Sequence, residues 1–454
     1  MAHAIRLHDM SYKRVAPGVL LLVALAGVAP AQQAQTPAQA PLRLTLKEAV
    51  RLALQQNPMV ILANLDVSQA DEDKLVARSE LLPQAGGGLS ETRRRYNLPA
   101  QLGLPFPGYP EHVGPFNVFQ AGIGVNAPIF DLTLWRRYQS AKLGVEASRA
   151  GERTARETSV LLVVSQYLGT QRALAETAAA QSRVDLAQAL YDQAADLQKN
   201  GVGTGIDTLR ANVQLQNEKQ RLIVARTQLE TSLFALARLL SVDPERKIEL
   251  ADGTGFFETP EISLDRTLEQ AYTARPELKQ IATERARSEL GLKAASEVKL
   301  PKVSFSGSWV QQGLTPNAAI PVYQYEAELV FPLFVGGLIH AEEAKADLAI
   351  RQLRQREQET RNRIALEVKT AVAQLEAARS EVEVANLGVQ LSRQEVEQAR
   401  DRFQAGVANN IEVISAQDSL ARASDNQIAA LYRFNQARAD VAHAMGQMEA
   451  AYGK

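Results

Sequence analysis

The sequence predicts a mainly α-helical chain with a small β part, laid out as an internal tandem repeat. Three observations carry that class. Two stretches of roughly 67 residues keep unbroken helical periodicity, far beyond the length of ordinary globular helices. Each ends in a turn of similar spelling, Gly201-Val202-Gly203-Thr204-Gly205-Ile206-Asp207 and Gly406-Val407-Ala408-Asn409-Asn410-Ile411-Glu412. Ahead of each helix the apolar period switches to strict alternation, the mark of a half-wetted strand.

Composition narrows the function. The 454 residues carry a formal net charge of −1 and no cysteine. That charge gives no bulk attraction for nucleic acid. The missing thiols exclude a disulfide framework, thiolate metal sites, a cysteine nucleophile and a lipid-bearing N-terminal cysteine. His3, His8, His112, His340 and His443 are scattered without metal-ligand spacing, so neither a metal nor a cofactor is expected. Gly201 to Gly205 lacks the Lys-Ser/Thr of a phosphate-binding loop. No nucleophile accompanies Asp207, and the chain is read as no enzyme.

The elements follow in order. Lys13 and Arg14, the apolar run Val19 to Val28 and the small residues Ala29-Pro30-Ala31 read as a cleaved signal peptide over residues 1–31, with Met10 an alternative start. Residues 32–43 read as a flexible Ala/Gln/Pro tail. Thr45 caps a short helix, with Glu48 completing a capping box. Pro58 starts a second helix at its first turn, where a missing N–H costs little, and Pro83 stops it. Gln84 to Tyr96 and a strand from Phe119 form a hairpin, and Leu98 to Phe116, rich in Pro and Gly, reads as its loop. Pro128-Ile129-Phe130-Asp131 ends the strand, in a hairpin at about 84–130, and a helix runs from about Thr133 to Asn200. Leu186, Leu190, Ala194 and Leu197 give it a coiled-coil seam. After the tip at 201–207, a helix to about Val242 carries Leu222, Leu229, Leu233, Leu236 and Leu240.

Residues 243–262 read as a linker, and the programme then repeats over 263–450. Leu264 to Arg275 is the short helix, Pro276 restarts it and Pro301 stops it. Strands follow from Lys302 and to Phe331, within a hairpin at about 302–332. The long helix reaches Ala405, the second tip spans 406–412, a last helix runs to about Ala450, and 451–454 is a tail. Pro58 and Pro276 lie 218 positions apart, as do Pro83 and Pro301, whereas Pro128 and Pro332 lie 204 apart. The copies therefore differ mainly inside the first strand hairpin.

Four strands per chain cannot close a barrel, and open strand edges cannot face lipid. Three chains would supply 12 strands, within the range of transmembrane barrels. Val303, Phe305, Gly307 and Trp309 alternate with Ser304, Ser306 and Ser308, giving one greasy and one wet face. Gln324, Glu326 and Glu328 extend the wet face toward a lumen. The helices scale alike: a short and a return helix together match one 67-residue rod of about 100 Å. Two repeats in three chains give 12 rods, a helical barrel continuous with the strands.

The repeat order, the Leu-x-x-Ala-x-x-x-Ala-x-x-x-x-Pro opening from Leu46 to Pro58, the strand-ending Pro128 and Pro332 and the Gly-Val-x-x-x-x-acid tips resemble the TolC-like outer-membrane efflux protein family over about residues 44–450. The resemblance implies a homotrimer with a β-barrel in outer-membrane lipid and an α-barrel across the periplasm. Its tips would meet a periplasmic adaptor protein and, through it, an inner-membrane transporter. It implies a passive duct of an efflux pump or a type I secretion system, with the cargo chosen by the pump. The competing readings are a soluble periplasmic coiled-coil scaffold or adaptor, whose strands would leave greasy faces exposed, and a porin, which has no use for the long rods.

By position, the resemblance assigns adaptor contact to Gly201, Val202, Gly406 and Val407, and gating to Asp207, Phe403 and Glu412. Beside it stands a local reading. Thr204 with Asp207 and Asn409 with Glu412 fit capping boxes of the return helices, and the glycines serve left-handed turn geometry. Three copies of Glu412 around an axis would form an acidic, cation-favouring ring. Ala408 supplies no arginine for a tip salt bridge, and Ser415 no second acid. Pro128 and Pro332 read as strand-to-helix bends. Arg93, Arg94 and Arg95 read as an ordinary solvated loop, with a place near the outer lipid headgroups as the alternative.

Overall fold

The computed structural model describes residues 41–104, 108, 110–253, 263–405, 407 and 410–453. The expected signal peptide and residues 32–40 lie outside them. The chain opens with β1 (Leu42–Leu44), α1 (Leu46–Gln56), α2 (Pro58–Ser79), β2 (Gln84–Asn97), α3 (Leu98–Leu102), β3 (His112–Phe130), α4 (Leu132–Lys199), α5 (Gly205–Leu239) and β4 (Ile248–Leu250). It continues with α6 (Leu264–Ala274), α7 (Pro276–Glu297), β5 (Lys302–Gly313), β6 (Ile320–Val330), α8 (Leu338–Gln404), α9 (Asn410–Ala444) and α10 (Met448–Tyr452). The 68 residues of α4 and the 67 of α8 make rods of about 100 Å. α4 packs along α2 and α5, and α8 along α7 and α9, so each rod is matched by stacked shorter pieces.

Five expectations need correction. The tail over 32–43 is not wholly a tail, because β1 pairs in parallel with β4, inside the expected 243–262 linker. Leu44 and Ile248 are buried there in one apolar cluster with Val160, Val164 and Tyr167 of α4. The Tyr167 hydroxyl donates to the Leu44 carbonyl at 2.9 Å. Leu98 to Phe116 is not all loop: Asn97 caps the short α3, and β3 begins at His112, with Val113 paired to Tyr96. The ladder hydrogen bonds outweigh the local turn composition. β3 runs to Phe130, and Pro128 sits at a bulge opposite Ser304, a place that tolerates a missing N–H. The bend falls at Asp131, whose Oδ1 accepts the Thr133 and Leu134 amides at 2.8 and 3.2 Å. The last helix breaks before Ala450. Gly446 adopts a left-handed φ of 67°, α10 begins after it, and the expected 451–454 tail contributes Tyr452 to that helix.

β2, β3, β5 and β6 form one antiparallel sheet in that order, leaving β2 and β6 as unpaired edges. The register sets Gly87, Ile123, Trp309 and Tyr323 side by side, and next to them Ala85, Val125, Gly307 and Tyr325. The rows between hold Gln84, Asn126, Ser306 and Glu326, and Gly86, Gly124, Ser308 and Gln324. Because side chains alternate across a strand, one face is apolar and aromatic and the other polar. Ile123, Trp309, Tyr323 and Tyr325 are all exposed on this chain. Gly122 is required where it stands: a Cβ there would collide with the Trp309 carbonyl.

Each half has a joint where its short helix meets a proline. Thr45 forms the expected capping box with Glu48, and Asn57 caps α2, accepting the Met59 amide at 2.9 Å. The same buried Asn57 donates to the Leu239 carbonyl at the end of α5, at 2.8 Å. In the second half Arg275 holds that place. It is buried, donates to the His443 carbonyl at the end of α9 at 3.0 Å, and pairs with Glu277 and Glu367 at 3.0 and 2.8 Å.

Candidate functional site

The two tips share one long backbone hydrogen bond that ends the helix. At the first, Gly201 takes a φ of 76°. Its N–H donates to the Gln198 carbonyl and that of Val202 to the Leu197 carbonyl, each at 3.0 Å. This pair of bonds satisfies carbonyls that the helix end leaves open, and only glycine adopts the left-handed residue without strain. At the second, Val407 N–H donates to the Arg402 carbonyl at 3.0 Å, the equivalent long bond. Gly406, Ala408 and Asn409 lie outside the described residues, and with them the capping box expected of Asn409. The two valines face outward, Val202 at 78% and Val407 at 66% exposure, so neither packs on its own hairpin.

The acids are held differently from the expectation. Thr204 makes no side-chain cap on α5. Its hydroxyl instead donates to the Asp207 carboxylate, which also lies 3.9 Å from Arg210. Glu412 accepts from Arg402 Nε at 2.9 Å across the second tip. The arginine that Ala408 does not supply thus comes from the last turn of α8. Phe403 lies in the last turn of α8. It is half-buried and packs against Val396, Ala399, Val413 and Ala416, inside the α8–α9 hairpin. A carboxylate ten residues from an arginine gives no periodic signal, which is why the sequence hid this pair.

Pro332 lies two residues past β6, and Gly336 and Gly337 turn the chain into α8 with φ of 60° and 84°. Arg93, Arg94 and Arg95 belong to β2 and not to a loop. Arg93 pairs with Asn117 across the ladder.

Above the tips the hairpins are linked. Arg183 of α4 lies 3.3 Å from buried Glu218 of α5 and 3.0 Å from Asp425 of α9. It lines a cavity of about 350 Å³ with Gln214, Glu218, Gln417 and Asp418. Arg183 is thereby shared between the two halves, a role that no local pattern announces. On α5, Ile206, Leu209 and Val213 are exposed at spacings of three and four, a coiled-coil seam without an occupant among the described residues. Among the described residues, no helix is long and apolar enough to cross a membrane, and no cluster could hold a metal ion.

A family model described as outer membrane efflux protein matches residues 49–242 and 267–447. The pyoverdine export outer membrane protein OpmQ of Pseudomonas putida is 23% identical over 411 residues, covering 87% of this chain and 84% of that one. The fold is similar to the CmeC outer membrane channel of Campylobacter jejuni, with a TM-score of 0.78 at 20% identity, covering 88% of this chain and 85% of the other. It is similar to the outer membrane protein VceC of Vibrio cholerae, with a TM-score of 0.74 at 16% identity, over 88% and 96% of the two chains. For the open-state MtrE outer membrane channel of Neisseria gonorrhoeae the TM-score is 0.74 at 17% identity, over 88% of each chain.

Proposed function

This chain belongs to the outer membrane efflux protein family, and from that premise we propose that it works as a homotrimeric exit duct spanning the outer membrane and the periplasm. The observation that carries the reading is the four-stranded sheet. Its apolar face is continuous across all four strands, both its edges are unpaired, and it is attached to two rods of 68 and 67 residues. Edges of that kind are stable in lipid only when closed. Pairing β6 of one chain with β2 of the next, three times, gives a closed 12-stranded barrel. Its aromatic face then meets lipid, and Ser304, Ser306, Ser308, Gln324, Glu326 and Glu328 line water.

The two halves, with short, medium, long and return helices in the same order, are read as an internal duplication. Twelve rods then continue the barrel as a helical tunnel, and the tips lie at its periplasmic entrance. Val202, Ile206, Leu209 and Val213 on the first hairpin, with Val407 and Ile411 on the second, offer exposed apolar knobs to the helical hairpins of an adaptor. Gly201 serves the turn that presents Val202. Opening would part the hairpins and pass through the Arg183 link to Asp425. The duct itself is passive, and an inner-membrane transporter supplies the energy and chooses the cargo.

The test is the oligomeric mass of protein extracted from outer membranes in mild detergent, with the bound detergent subtracted. A trimer is expected. A monomer, or protein recovered in the soluble periplasmic fraction, would overturn the shared barrel.

A further inference from the structure

The Arg402–Glu412 pair changes what the tunnel entrance presents to a passing ion. Arg402 sits in the last turn of α8 and Glu412 in the first turn of α9. The Arg402 backbone carbonyl is itself fixed by the Val407 amide, so the tip turn that closes the hairpin also aims this side chain. Both groups keep about half their side-chain surface exposed, at 56% and 44%. An exposed pair of this kind adds little to stability. Its effect on a solute is different. A permeating ion responds to the summed charge within about one Debye length, roughly 8 Å in physiological salt, and here a positive and a negative group occupy one spot.

Other charges lie near both tips: Glu397, Arg400 and Asp401 precede Arg402 on α8, and Asp196, Lys199, Asp207 and Arg210 surround the first turn. Asp207 has its own partners in Thr204 and Arg210. An acidic ring at Glu412 would need the carboxylate to dominate its surroundings, and this geometry gives it a guanidinium at 2.9 Å.

We propose that Arg402 is the selectivity-determining residue of the entrance, offsetting the charge of Glu412; the inference rests on the duct reading above. The entrance then favours cations less than Glu412 alone would make it. Removing Arg402 takes one positive charge per chain, three around the axis, away from Glu412.

The test is the reversal potential of purified channels in planar bilayers under a KCl gradient, for the wild type, Arg402→Gln, Glu412→Gln and the double variant. Barrel-lining Glu326 and Glu328 are common to all four and cancel from the comparison. Arg402→Gln should raise the cation-to-anion ratio roughly three- to tenfold, the scale of one unscreened charge near the path. Glu412→Gln should shift it toward anions, and the double variant should return to the wild-type value. Trimer mass and thermal unfolding confirm that each variant is folded. A ratio unchanged in a folded, conducting Arg402→Gln channel overturns the inference alone. A trimer that never conducts overturns the duct reading and the inference with it.

Discussion

The two joints of the molecule solve one problem with different chemistry. In each half, a short helix stops before a proline, and the residue ahead of that proline reaches the last carbonyls of the return helix. Asn57 does this as a neutral amide, with one bond to Leu239 and one to its own helix start. Arg275 does it as a buried cation, with His443 as acceptor and Glu277 and Glu367 as counter-charges. The backbone geometry is the same, so the job is geometric: a side chain must satisfy a carbonyl that the ending helix leaves open. The difference teaches that the second joint is exposed to charge chemistry that the first avoids.

The largest expected effect comes from Arg275→Ala. It leaves two carboxylates facing a buried vacancy and a carbonyl without its donor. Breaking such a buried pair costs about 3 to 5 kcal/mol. Amide exchange in the last turn of α9 should quicken accordingly, and unchanged protection would mean the pair contributes nothing. Arg275→Asn copies the first joint onto the second. It should lose less than the alanine variant, because an amide can still reach for the carbonyl; an equal loss would break the proposed equivalence. Asn57→Ala should cost about 1 to 2 kcal/mol, the usual value of an N-cap with a further hydrogen bond. That loss should appear as faster exchange at the C-terminal end of α5.

The smallest effect is a pH dependence confined to the second joint. Burial and the neighbouring Arg275 hold the His443 imidazole below its ordinary pKa of 6.5, against the opposing pull of Glu367, Glu277 and Asp440. The unfolded chain therefore takes up a proton that the folded chain resists, and stability falls as pH drops below about 6.5. Above that value both states are neutral and nothing is lost. Exchange at the end of α9 should rise between pH 7.5 and 5.5 relative to the end of α5, where neither Asn57 nor Leu239 has an ionisable side chain. His443→Gln should remove the difference between the two ends.

Most of the fold was legible because its punctuation is local. Thr45 and Glu48, Pro58, Pro276 and Pro301 mark helix ends through donors that are missing or supplied. The alternation from Val303 to Trp309 named the face that the register later displayed. What stayed hidden was set by contacts distant in sequence. β1 and β4 are three residues each, too short for a period to register, and they exist because they cover Tyr167. At the tips the residue types were legible but their partners were not. Thr204 looked like a cap and spends its hydroxyl on Asp207. Phe403 looked free to project and is held by Val413 from the next helix. Arg402 and Glu412 meet only because the turn between them brings α9 back onto α8.

The order of the sheet also sets a timetable. β2 can meet β3 as soon as both are made, and β5 can meet β6. The central pairing of β3 with β5 joins Phe119 to Gly313 and Phe130 to Val303, and all of α4, α5, α6 and α7 lies between them. Pairings across so long a stretch of chain form slowly. The helices must therefore be laid down before the two hairpins can find each other, and their greasy faces wait uncovered in the meantime. A chain in that state is prone to aggregate. Its passage to the membrane depends on how long something else can keep those strands apart.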